Sequence, residues 1–178
     1  ARRGDLLYLA RLSGYLDITE SLNATLGGSV AQGAHGFEVD AVTGSSNTLK
    51  TGIAATDLTV RWKNPRRAIY RSVLWQTEIY VVRPEAAGGP APTRRGGFTY
   101  LDWQFARRWH AGGRYDLSQT PAGRDWERGG LAFLTFTPSE FTLLSLQGRR
   151  TRFADGSHES VGWLKLTFNI GPHGAHPF

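Results

Sequence analysis

The sequence contains no cysteine, which excludes a disulfide framework, a thiolate zinc site and a cysteine nucleophile. It also lacks any apolar run approaching the roughly 20 residues that a spanning helix needs, so insertion by helices is excluded. Basic residues outnumber acidic ones, 21 to 15 with a formal net charge of +6, yet no more than two stand consecutively. A nucleic-acid binder normally gathers its basic residues into a stripe or patch, and no nucleic-acid partner is expected here. A phosphate-cradling glycine loop is missing too. None of these absences bears on a β-barrel. A barrel strand crosses a bilayer in about 9–11 tilted residues and shows lipid one face only, which a mean hydropathy of −0.35 permits.

What the sequence does have is alternation with a period of two, the signature of strands with two different faces. In Asp5 to Ile18, Tyr8, Ala10, Leu12, Leu16 and Ile18 alternate with Arg11, Ser13, Tyr15 and Asp17. A second strand is expected at Leu22 to Ala31. The third, Ala55 to Trp62, is the cleanest, with Thr56, Leu58, Val60 and Trp62 set against Asp57, Thr59 and Arg61. Further strands are expected at Ala68 to Val82, Gly97 to Ala106, Trp109 to Ser118, Gly130 to Thr137, Phe141 to Arg152 and Ser160 to Ile170. The seventh of these is apolar on both faces, so alternation does not orient it. Gln32 to Thr51, Arg83 to Gly96, Gln119 to Arg128 and Phe153 to His158 read as polar or Pro/Gly-bearing loops.

The connections alternate. Those after the first, third, fifth and seventh strands are short, roughly three to five residues, and the others are longer and polar. Short turns on one rim and long loops on the other are the habit of outer-membrane barrels, whose short turns face the periplasm. Tyr15, Trp62, Tyr70, Phe105, Trp109, Phe136, Phe141 and Phe168 would ring the short-turn rim, with Tyr8, Tyr80 and Tyr100 toward the other. The expected fold is therefore all-β, an antiparallel transmembrane β-barrel of about nine strands forming one domain. Nine is odd, whereas bacterial single-chain barrels have an even number of strands. A strand is thus expected before Ala1, making the chain the C-terminal part of a larger barrel.

On this reading Arg11, Asp17, Asp57, Arg61, Glu78, Asp102, Arg114, Asp116, Arg149 and Lys165 line the pore. There they would set the field felt by ions or small solutes, or pair across strands and solvate the wall; neither sign dominates. His173 and His176 are weak metal-ligand candidates, since no cysteine or fixed carboxylate accompanies them. Arg3-Gly4-Asp5 and Asn23-Ala24-Thr25 are chance matches to adhesion and glycosylation tripeptides. Ser139-Glu140 has no histidine placed near it in sequence, so neither catalytic residues nor an enzyme activity, and no cofactor, is expected. A soluble all-β binding module such as a sandwich is the alternative from another class.

The last strand leads to an aromatic terminus, Phe178, which resembles the assembly signal of bacterial outer-membrane barrels. The segments 104–116 (QFARRWHAGGRYD), 137–141 (TPSEF) and 171–178 (GPHGAHPF) look like porin-like proteins of Gram-negative-type bacteria. These are similar to phosphate-selective porins and are sometimes labelled zinc-regulated TonB-dependent outer-membrane receptors. The resemblance covers most of the chain from about Asp57 onward. It implies residence in the outer membrane, contact with its lipid and with the barrel-assembly machinery, small solutes as cargo and a homo-oligomer as in many porins. It also implies, as an alternative, the barrel part of a TonB-dependent metal receptor.

Overall fold

A computed structural model describes residues 6–39, 46–66, 70–139 and 141–169. Its strands are β1 (Tyr8–Thr19), β2 (Leu22–Val39), β3 (Ser46–Lys63), β4 (Ser72–Ala86), the two-residue β5 (Gly89–Pro90), β6 (Arg94–Ala106), β7 (Trp109–Gln119), β8 (Trp126–Ser139), β9 (Thr142–Arg152) and β10 (His158–Phe168). Nine of them form one antiparallel meander in chain order, and β5 pairs only with β4. No helix occurs among the described residues. β1 and β10 each have a single partner, and the sheet is not closed.

The nine expected strands are present, but several limits differ. Gln32 to Thr51, read as a loop, is mostly hairpin: β2 and β3 stay paired out to Val39 opposite Ser46. The reason is that an extended ladder needs only backbone partners, so the glycine and small polar residues that suggest a loop do not end it. Arg83 to Gly96 likewise contains the end of β4, all of β5 and the start of β6. The turn after the third strand is longer than expected, since β4 begins at Ser72. Its ends are drawn together by a hydrogen bond from Asn64 N to Arg71 O of 3.2 Å.

Tight turns close the other hairpins on that rim. Thr19 Oγ1 accepts from the backbone N–H groups of Ser21 and Leu22 at 3.2 and 3.1 Å, and Arg107-Arg108 alone joins β6 to β7. On the opposite rim Gly156, at φ +84°, turns β9 into β10. There the Asp155 carboxylate accepts from the Ser157 N–H at 2.8 Å, and the Ser157 side chain together with this N–H holds the carboxyl below its ordinary range.

No hydrophobic side chain is buried among the described residues; the buried polar ones are Thr135 and Ser145. Leu12 is 82% exposed, Leu26 62% and Leu164 66%. A water-soluble domain covers such a face with a second layer, and none is present among the described residues.

Glycines lie where neighbouring strands crowd most. A Cβ at Gly112 would collide with the Leu101 carbonyl oxygen, whereas one at Gly130 would meet nothing within 4 Å. Gly112→Ala is therefore expected to destabilise the sheet by about 1–3 kcal/mol and Gly130→Ala to stay within about 0.5 kcal/mol of the parent. Equilibrium urea unfolding of the two variants measures the contrast.

Candidate functional site

Directly paired residues in an antiparallel sheet share a face, so the register assigns every strand residue to one of two surfaces. All ten residues expected to line a pore fall on the same one. Arg11 and Asp17 on β1 match Ser29 and Asn23 on β2; Asn23 and Gly27 match Arg61 and Asp57 on β3. Glu78 stands opposite both Asp57 and Phe98, and Phe98 opposite Asp116. Asp102 and Arg114 follow on β6 and β7, Arg149 on β9 and Lys165 on β10. The register also orients the ambiguous seventh strand: Leu131 and Phe133 join the charged face opposite Arg149 and Gln147, leaving Ala132 and Leu134 on the other.

The charges are drawn into short-range pairs. Arg11 meets Asp57 at 2.7 Å, Arg114 meets Asp116 at 2.7 Å, and Arg149 meets Glu159 at 2.9 Å. His110 Nδ1 lies 3.0 Å from Asp102 Oδ1, and the Tyr15 hydroxyl donates to Asp17 at 2.5 Å. The Arg114 guanidinium also lies 3.9 Å above the Phe98 ring, a cation–π contact. Among the described residues no group of three His, Cys, Asp or Glu side chains is placed to hold a metal. Phe178, His173 and His176 lie outside the described residues.

The Arg11–Asp57 pair spans three strands, reaching from β1 to β3 across β2. It passes over Gly27, where a Cβ would lie 2.5 Å from both Arg11 Nη2 and Asp57 Oδ2. The same device recurs at Gly96, which lies beneath the Tyr80 ring, and at Gly112, beneath Phe133. Phe133 stacks on Tyr100 with centroids 5.8 Å apart. Each glycine removes a side chain so that a longer one can lie across the strand, as aromatic side chains do over strand glycines.

Between β6 and β10 this face is hollowed into a cavity lined by Tyr100, Asp102, His110, Phe133, Thr135, Ser145, Gln147 and Lys165, among others. Its floor is a hydroxyl network. Thr135 Oγ1 donates to Ser145 Oγ at 2.9 Å, and Gln147 Nε2 donates to the same oxygen at 3.0 Å. An imidazole–carboxylate pair, an ammonium group and an aromatic pair surround that floor, a set able to hydrogen-bond small polar solutes of either sign. Sequence reading supplied Asp102 and Lys165 but not Tyr100, Thr135, Ser145 or Gln147. The signal that would have found them is the cross-strand register, which alternation alone does not provide.

The opposite face is apolar and has its own order. Its basic residues stand toward the loop rim: Lys50 on β3, Arg83 on β4, Arg95 on β6, Arg128 on β8, Arg150 and Arg152 on β9. Its aromatic residues at the short-turn rim are Trp62, Trp103, Trp109 against Phe136 at 4.7 Å, and Phe168. Of the residues expected in the rings, Tyr8 is on this face, but Tyr15, Tyr80 and Tyr100 are on the charged one.

Both boundaries run obliquely to the paired rows. The row of Arg150 passes through Gly130, Tyr115, Thr99 and Thr77 to Leu58, eight positions along β3 from Lys50. The row of Trp62 passes through Val73, Trp103, Ala111, Leu134 and Leu146 to Leu164, four positions short of Phe168. With about 3.4 Å per residue and about 4.8 Å between strands, the boundaries slant in the same sense by roughly 50° and roughly 25°.

Removing the gap at Gly27 breaks the three-strand bridge. Gly27→Val and Arg11→Gln are each expected to lower stability, and the double variant to be little less stable than the worse single one. Urea unfolding of the full double-mutant cycle tests this non-additivity. In comparisons with known proteins, the chain matches no family model, no curated protein and no solved structure.

Proposed function

We propose that the chain is part of the wall of a porin-like β-barrel in a bacterial outer membrane, through which small hydrophilic solutes diffuse passively. The observation that carries this reading is the division of one continuous sheet into a charged face and an exposed apolar face, with no buried hydrophobic residue among those described. Exposed apolar patches on soluble monomers seldom exceed a few hundred Å². A face carrying Leu12, Leu26, Trp75, Leu101, Leu146 and Leu164 needs an apolar surrounding, and lipid supplies one along every strand.

Two further features support it. From Arg128 to Phe136 the apolar span of β8 is close to the 9–11 residues of a barrel strand. The slanted boundaries bracket the tilt of about 35–45° at which barrel strands cross a bilayer. Arginine on a lipid-facing wall costs about 2–4 kcal/mol at mid-membrane and about 0–1 kcal/mol near the interfaces, which accounts for the confinement of Arg95, Arg128, Arg150 and Arg152 to one rim.

The charged face becomes the pore wall in this arrangement. Because Arg11, Arg114 and Arg149 are neutralised locally by Asp57, Asp116 and Glu159, the pore should discriminate weakly between anions and cations. Lys165 projects among the cavity residues, so Lys165→Glu is expected to move the reversal potential in a salt gradient toward cation preference. A planar-bilayer recording with no conductance steps from the refolded full-length protein would rule out the channel.

Lipid contact is tested separately from conductance. In single-tryptophan variants, brominated lipid should quench Trp103, on the apolar face, and spare Trp163, which pairs with Gln147 on the charged face. Quenching of neither residue removes the membrane reading.

A further inference from the structure

The arginines on the apolar face are not evenly spread. Arg128 and Arg152 stand directly opposite each other on β8 and β9, and Arg152 is opposite His158 on β10. Arg150 is two positions along the same strand, so three arginines share this face of two adjacent strands at the loop rim. All three arginines are exposed. Among the described residues, no Asp or Glu occupies this face of β6 to β10. The acid of the adjoining turn, Asp155, is turned to the Ser157 N–H.

Like charges directly opposite on a sheet repel, and nothing on the same face offsets this trio. Immediately below, toward the short-turn rim, the surface falls into a shallow groove over Gly130, Ala132, Gly148 and Gly162, with Arg150 at its upper end. The next row of this face toward the short-turn rim is Leu134, Leu146 and Leu164. An anion at the top would relieve the repulsion, and the small residues below leave room for an alkyl chain.

Resting on the membrane reading above, we infer that this patch binds a lipid carrying a phosphate monoester, with the phosphate held by Arg128, Arg150 and Arg152 and an acyl chain lying in the glycine-floored groove. Arginine suits the task because its planar fork offers paired N–H donors to phosphate oxygens. Strands about 4.8 Å apart with residues about 7 Å apart along one strand place the three forks around a single tetrahedral group. The glycines let the chain approach the backbone closely. A second copy of this chain fits the patch less well, since it would bring a second arginine trio to the same rim.

The test is native mass spectrometry of the full chain in neutral detergent, with phosphatidic acid as the anionic probe and phosphatidylcholine as the zwitterionic one. The parent should retain phosphatidic acid at least tenfold better than phosphatidylcholine. The triple variant R128Q/R150Q/R152Q should lose that preference, and the corresponding triple lysine variant should keep part of it. Equal retention by parent and glutamine variant overturns the site; if brominated lipid still quenches Trp103 in both, the membrane reading survives that failure. Glycerol phosphate competing as well as phosphatidic acid overturns the acyl-chain half of the site. A dimer that forms in the parent without lipid and is lost in the glutamine variant assigns the patch to a second copy instead.

Discussion

The backbone ladder carries this fold, because a single layer has no interior to be held by side chains. From β1 to β10 each strand is stabilised by its neighbours' N–H and C=O groups and by what lies against its two faces. Two edges remain, on β1 and β10, where those groups lack sheet partners. In water an open edge invites further pairing, and in lipid it is costly enough that spanning sheets close. The apolar face poses the same question in another form, since its leucines and tryptophans need a cover that the described residues do not supply.

On the charged face the ladder is reinforced by side chains that act across strands. Arg11 ties β1 to β3 over Gly27, Phe133 reaches Tyr100 over Gly112, and Tyr80 covers Gly96. These contacts depend on small residues at the crossing points, so the glycines that weaken a strand locally strengthen the coupling between strands. Paired charges also keep this face wet without giving it a strong net sign. A pore wall built this way is polar and only weakly selective, in keeping with the proposed diffusion of solutes.

Much of the architecture was legible because a two-faced strand repeats every second residue. Asp57, Thr59 and Arg61 against Leu58, Val60 and Trp62 need no structure to be sorted, and the ten charged residues placed on one face did fall together there. The extent of the β2–β3 hairpin was not legible, since Gln32 to Val39 is held by pairing with residues further along the chain rather than by its own composition. Nor was the orientation of β8, where Leu131 and Phe133 are apolar residues on a charged face. Phe133 is there because Gly112 and Tyr100 make an apolar niche for it, and that niche exists only once the register is set. The Arg128–Arg152 pair escaped notice for a related reason: the two residues lie on different strands, and only pairing makes them neighbours.

The oblique edges of the apolar band also have a consequence for closure. Along its two edges the band drifts by about 0.7 and about 1.6 positions with each strand crossed, so nine strands accumulate an offset of roughly five to thirteen residues. That offset is a shear, the quantity that with strand number fixes the diameter of a closed barrel. In the proposed barrel, β1 and the strand beside it do not meet flush. The strand that completes such a wall would enter shifted by several residues along β10, and the slope of the apolar band gives the direction of that shift.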